Sequence, residues 1–229
     1  MWPGSVVGTP FYHASLQHHS EMRAPFVVAF AVLMASSLMA QSTAITVDGR
    51  FDDWSPVLTM HNDSDAPSSG INLLSMQVTN DETNLYVRLN VESEIDLLDD
   101  LVPQTIRLYI DGDNNASTGN AAQTGYGAEL QVRFDTRTVT EYFGASSNVS
   151  WSTLDLVPLP TTTSTSFEIA IARSAKPDGT NFLFTSSTIK ILFRETDSGD
   201  AMPNTGSTFS YTFDEAPVPP VVPIPMTRV

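Results

Sequence analysis

Apolar and polar residues alternate in short runs along most of the chain, and this two-residue period is typical of β-strands. In Asn84–Val91, four aliphatic residues fall on one face, while the intervening positions, Arg88 and Asn90 among them, fall on the other. A strand of this kind has one buried face and one wet face. The polar stretch Asn80–Thr83 separates it from a similar run, Leu73–Thr79, and predicts a hairpin turn.

Further runs of the same kind recur between turn signals and indicate a protein built almost wholly of strands. These runs are Ile45–Val47, Thr105–Ile110, Glu129–Phe134, Val139–Phe143, Phe167–Ile171, Ile189–Phe193 and Phe209–Phe213. Only Glu92–Leu101 predicts a short helix. About nine to eleven short strands at this spacing favour an all-β fold, an antiparallel β-sandwich of immunoglobulin-like or jelly-roll-like architecture with one short helix at most.

The N-terminal region has a different pattern, which is typical of an export signal. Residues 26–39 are apolar apart from two serines, Arg23 precedes them, and Ala40 is a small residue suited to cleavage. The run is too short for a comfortable membrane span. Because about 21 polar and mixed residues precede Met22, we interpret Met22 as the natural start. An extended N-terminal region and an uncleaved anchor are the alternatives, and Ala44 is the second candidate for the cleavage site.

The C-terminal region is rich in proline and predicts a tether outside the fold. Residues 216–229 hold five prolines in 14 positions, a composition that favours an extended, semi-rigid chain. We therefore predict an extension plus signal peptide over 1–40, one sandwich domain over 44–215, and a Pro-rich tail over 216–229. A tether usually leads to another domain, so a missing C-terminal domain and a free tail are both open.

Composition and charge exclude several classes of function. The chain has 26 acidic and 11 basic residues and a net charge of −15, which repels phosphate and predicts neither nucleic-acid binding nor docking on anionic lipid. The absence of cysteine excludes disulfides, thiol catalysis and iron–sulfur clusters. After signal cleavage His61 is the one remaining histidine, which leaves little for catalysis or zinc. An exported chain without cysteine is typical of a bacterial envelope or secreted protein, free of the membrane after cleavage.

Two segments carry a resemblance to a known family. The first is Ile45–Trp54, ITVDGRFDDW, and the second is Leu108–Val132, LYIDGDNNASTGNAAQTGYGAELQV. With both motifs in this order about 60 residues apart, the chain resembles family 9 carbohydrate-binding modules and the broader DOMON-like sandwiches. The resemblance implies a calcium-bearing β-sandwich of the kind often attached to secreted glycan-active enzymes. Many relatives of this kind have no established ligand.

The Asp/Asn-rich loop of the second motif predicts a structural calcium site. Asp111, Asp113 and Asn115 alternate, so a curled loop can aim their oxygens inward, and Thr118 adds further oxygen atoms. Hard oxygen ligands at this density suit Ca²⁺, which takes about 6–8 of them. The resemblance implies that Glu129, at the acidic position of its Gly-Ala-acid pattern, supplies the remaining carboxylate. The alternative is a polar turn without metal.

Aromatic side chains are the candidates for sugar contacts. Trp151 lies in the polar stretch Ser147–Thr153, which favours an exposed platform, with packing at the edge of the core as the alternative. Tyr142 and Tyr126 are the other predicted ligand-binding residues. We expect Trp54 to pack into the core.

The sequence predicts an exported, non-catalytic, carbohydrate-binding-like module with a structural calcium loop. It holds no GxSxG motif, and no histidine accompanies His61 in the mature chain, so we predict that it is not an enzyme. The alternatives are a structural or adhesion spacer of an envelope protein, and the leading module of a truncated secreted glycan-active enzyme.

Overall fold

Two antiparallel β-sheets form the framework of the computed structural model, which describes residues 45–99 and 106–214. The strands are β1 (Met60–Asn62), β2 (Leu73–Asn80), β3 (Asn84–Ile95), β4 (Ile106–Asp111), β5 (Leu130–Arg133), β6 (Thr138–Glu141), β7 (Ser147–Val149), β8 (Val157–Leu159), β9 (Ser164–Ala172), β10 (Thr188–Glu195), β11 (Ala201–Met202) and β12 (Ser210–Thr212). Short 3₁₀ turns cover Asp52–Trp54 and Trp151–Thr153.

The first sheet has the strand order β1-β2-β3-β9-β8. The second has the order β11-β10-β4-β5-β6-β7, and β12 also pairs with β10. Every pairing is antiparallel. The prediction of an all-β antiparallel sandwich is therefore confirmed.

One hydrophobic core lies between the sheets and follows the alternation read from the sequence. In β3, Leu85, Val87 and Leu89 are fully buried, and in β4 Leu108 and Ile110 face the same core. Burial of such a side chain contributes roughly 1.5–3 kcal/mol. The residues between them therefore project to the outer faces, where the chemistry of the molecule is found.

The opening segment covers the outer face of the first sheet. Trp54 is fully buried there, and its Nε1 donates to Oε1 of Glu168 at 2.8 Å. The backbone N–H groups of Asp48 and Gly49 donate to Oε2 of the same Glu168, at 3.1 and 2.8 Å. The guanidinium of Arg88 lies 4.5 Å from the ring centroid of Phe51. The expectation that Trp54 is buried is confirmed, although it packs in a separate cluster with Ile45, Val57, Tyr86 and Ala170 and not between the sheets.

The predicted helix over Glu92–Leu101 is wrong for its described part. Strand β3 continues to Ile95, which pairs with Ser164, because β9 extends the ladder past the predicted end of the strand. Residues 96–99 form a turn, and residues 100–105 lie outside the described residues. Residues 45–47 are not a strand either, although Ile45 is buried.

The predictions for the two chain ends fall outside the described residues. They concern the signal peptide over 1–40, its cleavage site and the tail over 216–229. Among residues 45–99 and 106–214, no helix is long and apolar enough to cross a membrane.

Candidate functional site

The loop between β4 and β5 folds back over the outer face of the second sheet and brings three carboxylates together. Asp111 ends β4, Asp113 lies in the loop, and Glu129 directly precedes β5. One carboxylate oxygen from each lies within 4.8 Å of the other two. Asp111 is 0% exposed and Glu129 is 3% exposed. We call Asp111, Asp113 and Glu129 the carboxylate cluster.

Asp111 is held by backbone donors and by the one ammonium group at the cluster. Its Oδ1 accepts from the N–H of Asn115 at 3.0 Å, and its Oδ2 accepts from the N–H of Gly127 at 3.1 Å. Lys190 Nζ lies 3.2 Å from Oδ2 and also donates to the carbonyl of Gly125 at 2.8 Å. With every carboxylate ionised, one ammonium against three carboxylates leaves the cluster two negative charges in excess.

Glu129 has an incomplete set of partners. Its Oε2 accepts from the N–H of Gly112 at 2.8 Å, whereas its buried Oε1 has no hydrogen-bond partner among the described residues. Burial raises the pKa of Glu129 to about 7, and the charges of Asp113 and Asp111 add to the rise, against the lowering effect of the Gly112 N–H. A divalent cation would give Oε1 of Glu129 a partner and would reduce the repulsion among the three carboxylates. Three carboxylates form a donor set that suits Ca²⁺.

The other two predicted ligands shape the loop. Thr118 Oγ1 donates to Asp113 Oδ2 at 2.9 Å, and Asn115 Oδ1 accepts from the N–H of Ser117 at 3.1 Å. The carbonyls of Asn115 and Thr118 both point at Gly127, where an added Cβ would lie 2.2 and 2.3 Å from them. The structure therefore brings the three predicted carboxylates together, and it places the side chains of Asn115 and Thr118 on loop contacts.

A cavity of about 600 Å³ adjoins the carboxylate cluster. Asp113, Thr118 and Glu129 line one side of it. The three residues after β6 and the loop between β9 and β10 supply aromatic rings and polar groups to the rest of its wall. These residues are Tyr142, Phe143, Gly144, Thr180, Asn181, Phe182 and Thr185.

Two aromatic residues of this wall are fixed by neighbouring side chains. Tyr142 is half-buried, and its hydroxyl donates to Oε1 of Gln131 at 3.4 Å. The Lys176 ammonium lies 4.2 Å from the centroid of the half-buried Phe182 ring. Asn181 donates its amide N–H to Asp178 Oδ2 at 2.6 Å. The cavity therefore combines rings held in place with an amide held in place.

The three predicted ligand-binding aromatics do not form one site. Tyr142 lines the cavity, but Trp151 is half-buried and packs edge-on against Phe134, with ring centroids 6.2 Å apart. Tyr126 is 1% exposed, and its hydroxyl donates to the Ile191 carbonyl and accepts from the Phe209 N–H. This burial raises the pKa of Tyr126 to about 12 and leaves no ring face for a ligand.

Sequence reasoning missed the rest of the cavity wall. Phe182 and Asn181 lie in a loop without alternation, and Phe143 looked like the end of a strand. Only the packing of the loop between β9 and β10 beside the end of β6 shows that they share a wall. No local signal in the sequence carries that information.

A second carboxylate group joins the two sheets. Asp63 follows β1, Asp200 precedes β11, and one oxygen of each lies within 4.8 Å of an oxygen of Asp65. Burial raises the pKa of Asp63 to about 6, and the charge of Asp200 raises it further. Asp200 Oδ2 accepts from the N–H of Leu73 at 2.8 Å, and the Asn204 amide donates to Asp65.

Comparisons with known proteins give structural similarities only. No family model and no curated protein matches the chain. One similar solved structure is a family 9 carbohydrate-binding module from Caldicellulosiruptor kristjanssonii in complex with glucose, with 16% identity, 73% of this chain and 81% of that chain covered, and a TM-score of 0.40. A second, from the same organism in complex with cellotriose, has 15% identity, coverages of 68% and 74%, and a TM-score of 0.39. These structures belong to the family that Ile45–Trp54 and Leu108–Val132 resemble.

Proposed function

We propose that this chain is an exported, non-catalytic carbohydrate-binding module in which Ca²⁺ fixes a loop beside the ligand cavity. The observation that carries the proposal is the wall of the cavity, which sets the rings of Tyr142 and Phe182 beside the amide of Asn181. Sugars present apolar C–H faces that pack on aromatic rings, and hydroxyl groups that need fixed polar partners. A cavity of about 600 Å³ falls within the range of small-ligand sites.

The calcium part of the proposal rests on the carboxylate cluster. Asp111, Asp113 and Glu129 would hold the ion. The ion would give the buried Oε1 of Glu129 a partner and would balance the two excess negative charges. The role of the ion would be structural, because it would fix the loop that carries Asp113 and Thr118. Both residues line the cavity, and they would lose their fixed positions if the loop loosened.

The absence of catalysis is inferred from the chemistry of the cavity. Its two carboxylates, Asp113 and Glu129, are assigned to the ion. His61 packs against Phe209 with ring centroids 5.7 Å apart, and it does not line the cavity. Export rests on the signal-like pattern of residues 26–39.

Thermal melting of the full chain tests both parts. We expect Ca²⁺ to raise the melting temperature above that in chelator, and one class of oligosaccharide to raise it further. The variant Phe182→Ala should lose the saccharide-dependent rise and keep the calcium-dependent rise. Phe51→Ala, which removes a half-buried ring from the outer face of the other sheet, is the matched control and should keep both.

Each other outcome removes part of the proposal. A calcium-dependent rise without any saccharide effect would leave a structural or adhesion spacer. Equal melting temperatures in calcium and in sodium of equal ionic strength would remove the calcium site. A saccharide effect that survives Phe182→Ala would move the ligand away from this cavity.

A further inference from the structure

Three arginines stand in a row across the outer face of the second sheet. Arg107 on β4 is the register partner of Arg133 on β5 and of Arg194 on β10. Residues directly opposite each other in antiparallel strands project to the same face. Neighbouring strands lie about 4.8 Å apart, so the three arginine side chains start from adjacent positions on the same face. We call Arg133, Arg107 and Arg194 the arginine row.

Alternation along β4 fixes the face on which the row lies. Ile106 and Leu108 point into the core between the sheets, so Arg107 and Tyr109 point outward. All three arginines are half-buried, and the Nε atom of each is buried without a hydrogen-bond partner among the described residues. Their aliphatic stems therefore lie against the sheet while the terminal nitrogens face outward.

The residues that the structure describes neutralise the row only in part. Arg133 Nη2 pairs with Asp135 Oδ2 at 2.8 Å, and Arg194 Nη2 donates to Gln123 Oε1 at 3.3 Å. Arg107 has neither a hydrogen-bond nor an ion-pair partner in the part of the chain that the structure describes. Among residues 45–99 and 106–214, one ion pair against three guanidinium groups leaves the row two positive charges in excess.

Such a row is costly unless something binds it. Like charges directly opposite each other on adjacent strands are destabilising. The chain has only 11 basic residues and a net charge of −15, yet three of its arginines are neighbours here. Guanidinium groups hold carboxylate and sulfate groups through two parallel hydrogen bonds.

We propose that the arginine row binds the anionic groups of an acidic polysaccharide. A ligand that repeats its negative charge fits a row of cations, whereas a lone anion engages one or two of them. Charges beyond about 8 Å are screened at physiological salt, so the local positive excess governs contact. The net charge of −15 still opposes a long, uniformly charged nucleic acid. The choice of a glycan among polyanions rests on the proposed function. The anion site itself rests only on the geometry of the arginine row.

Calorimetry on the calcium-loaded full chain with matched ligands tests the proposal. The probes are a cello-oligosaccharide, the same oligosaccharide carrying sulfate groups, and an oligoglucuronate. We expect the two acidic probes to bind in a salt-sensitive manner, and Arg107→Gln to weaken them about tenfold or more, because it removes a charge-assisted hydrogen-bond pair. Arg50→Gln, which removes the same charge from an exposed position off the row, should leave them unchanged. Arg107→Lys should recover part of the affinity.

A change in folding is separable from a change in binding. Arg107→Gln relieves like-charge repulsion, so its melting temperature should not fall while its affinity for acidic probes does. The proposal is overturned if neither acidic probe binds at low salt, or if Arg107→Gln binds them as well as the parent chain. It is also overturned if a single-stranded DNA oligonucleotide of equal charge binds as tightly as they do. The proposed function is judged separately, by the effect of Phe182→Ala on the saccharide that occupies the cavity.

Discussion

Strands β4 and β10 run side by side, and the two ends of their shared outer face carry opposite arrangements of charge. At one end the register partners are Asp111 and Lys190, of opposite sign and 3.2 Å apart. At the other end the register partners are Arg107 and Arg194, of the same sign. The two ends lie four residues apart, which is roughly 13 Å along a strand.

The difference shows that the local sign of the charge is set by strand register and not by composition. The Asp111 end is deeply buried and has an excess of negative charge even though a lysine is present. The Arg107 end is half-exposed and has an excess of positive charge even though the chain carries −15. One end is therefore suited to a metal cation and the other to an anionic ligand, on a single pair of strands.

Removal of the lysine is the largest perturbation of the Asp111 end. We expect Lys190→Met to lower the free energy of unfolding in chelator by about 3 kcal/mol, because it leaves a fully buried carboxylate without its cation. Added Ca²⁺ should restore most of the loss, and denaturant unfolding with and without Ca²⁺ measures both values. Lys176→Met, at the only other lysine, is the control and should cost far less. Equal losses for the two variants would contradict a special role for Lys190.

Calcium itself should produce the next largest effect. At a free Ca²⁺ concentration about a hundredfold above the Kd, binding adds about 2.7 kcal/mol, which is roughly 5–10 °C in Tm for a domain of this size. Glu129→Gln should abolish the rise, since it removes the negative charge of the carboxylate that holds the unpartnered oxygen. Glu82→Gln, at an exposed turn position, should retain it. A full calcium response in Glu129→Gln would place the ion elsewhere.

The stability of the calcium-free chain should depend on pH through the Asp111 end. The pKa of Glu129 is raised to about 7 in the fold from an ordinary value of 4.5, so the folded state holds more protons than the unfolded state between these values. Stability therefore falls as the pH rises from about 4.5 to 7, by about 2 kcal/mol for this group. Denaturant unfolding in chelator at several pH values measures the slope. Its persistence in Glu129→Gln would assign the slope to another group, such as Asp63.

Reversal of one charge at the Arg107 end should have the smallest effect on stability. Arg107→Glu converts two like-charge neighbours into complementary pairs, and we expect a gain of about 0.5 kcal/mol in the free energy of unfolding. Urea unfolding, with Arg50→Glu as the matched variant off the row, measures the gain. A clear loss of stability in Arg107→Glu alone would mean that the guanidinium makes a structural contribution that outweighs the repulsion.

Much of the fold was predictable because it depends on local alternation. The pattern of Asn84–Val91 placed the buried face of β3 correctly, and the hairpin with β2 followed from the intervening turn residues. The helix over Glu92–Leu101 failed because the partner strand β9, distant in sequence, carries β3 past the point where the alternation weakens. Tertiary pairing outweighed a weak local preference.

The candidate site was predictable only in part, because part of it depends on the pairing of strands that are distant in the sequence. Asp111, Asp113 and Glu129 come together because one loop and two adjacent strands hold them, and the sequence pattern reflects that geometry. The arginine row was not foreseen, because Arg107 and Arg194 become neighbours only through the pairing of strands far apart in the chain. Tyr126 was predicted to bind a ligand, yet its loop folds back and buries it against Tyr109 and Leu192 on the second sheet.

Glu168 joins the opening segment of the sandwich to a strand far along the chain. Its carboxylate receives the N–H groups of Asp48 and Gly49 across 120 and 119 residues, and the indole N–H of Trp54 across 114. During synthesis, which starts at the N-terminus, the opening motif is therefore made long before Glu168, its acceptor. Contacts of such long sequence separation slow folding, because the intervening loop must close first. We therefore expect the opening segment to dock late in folding, so that Trp54 becomes buried only after strand β9 has formed.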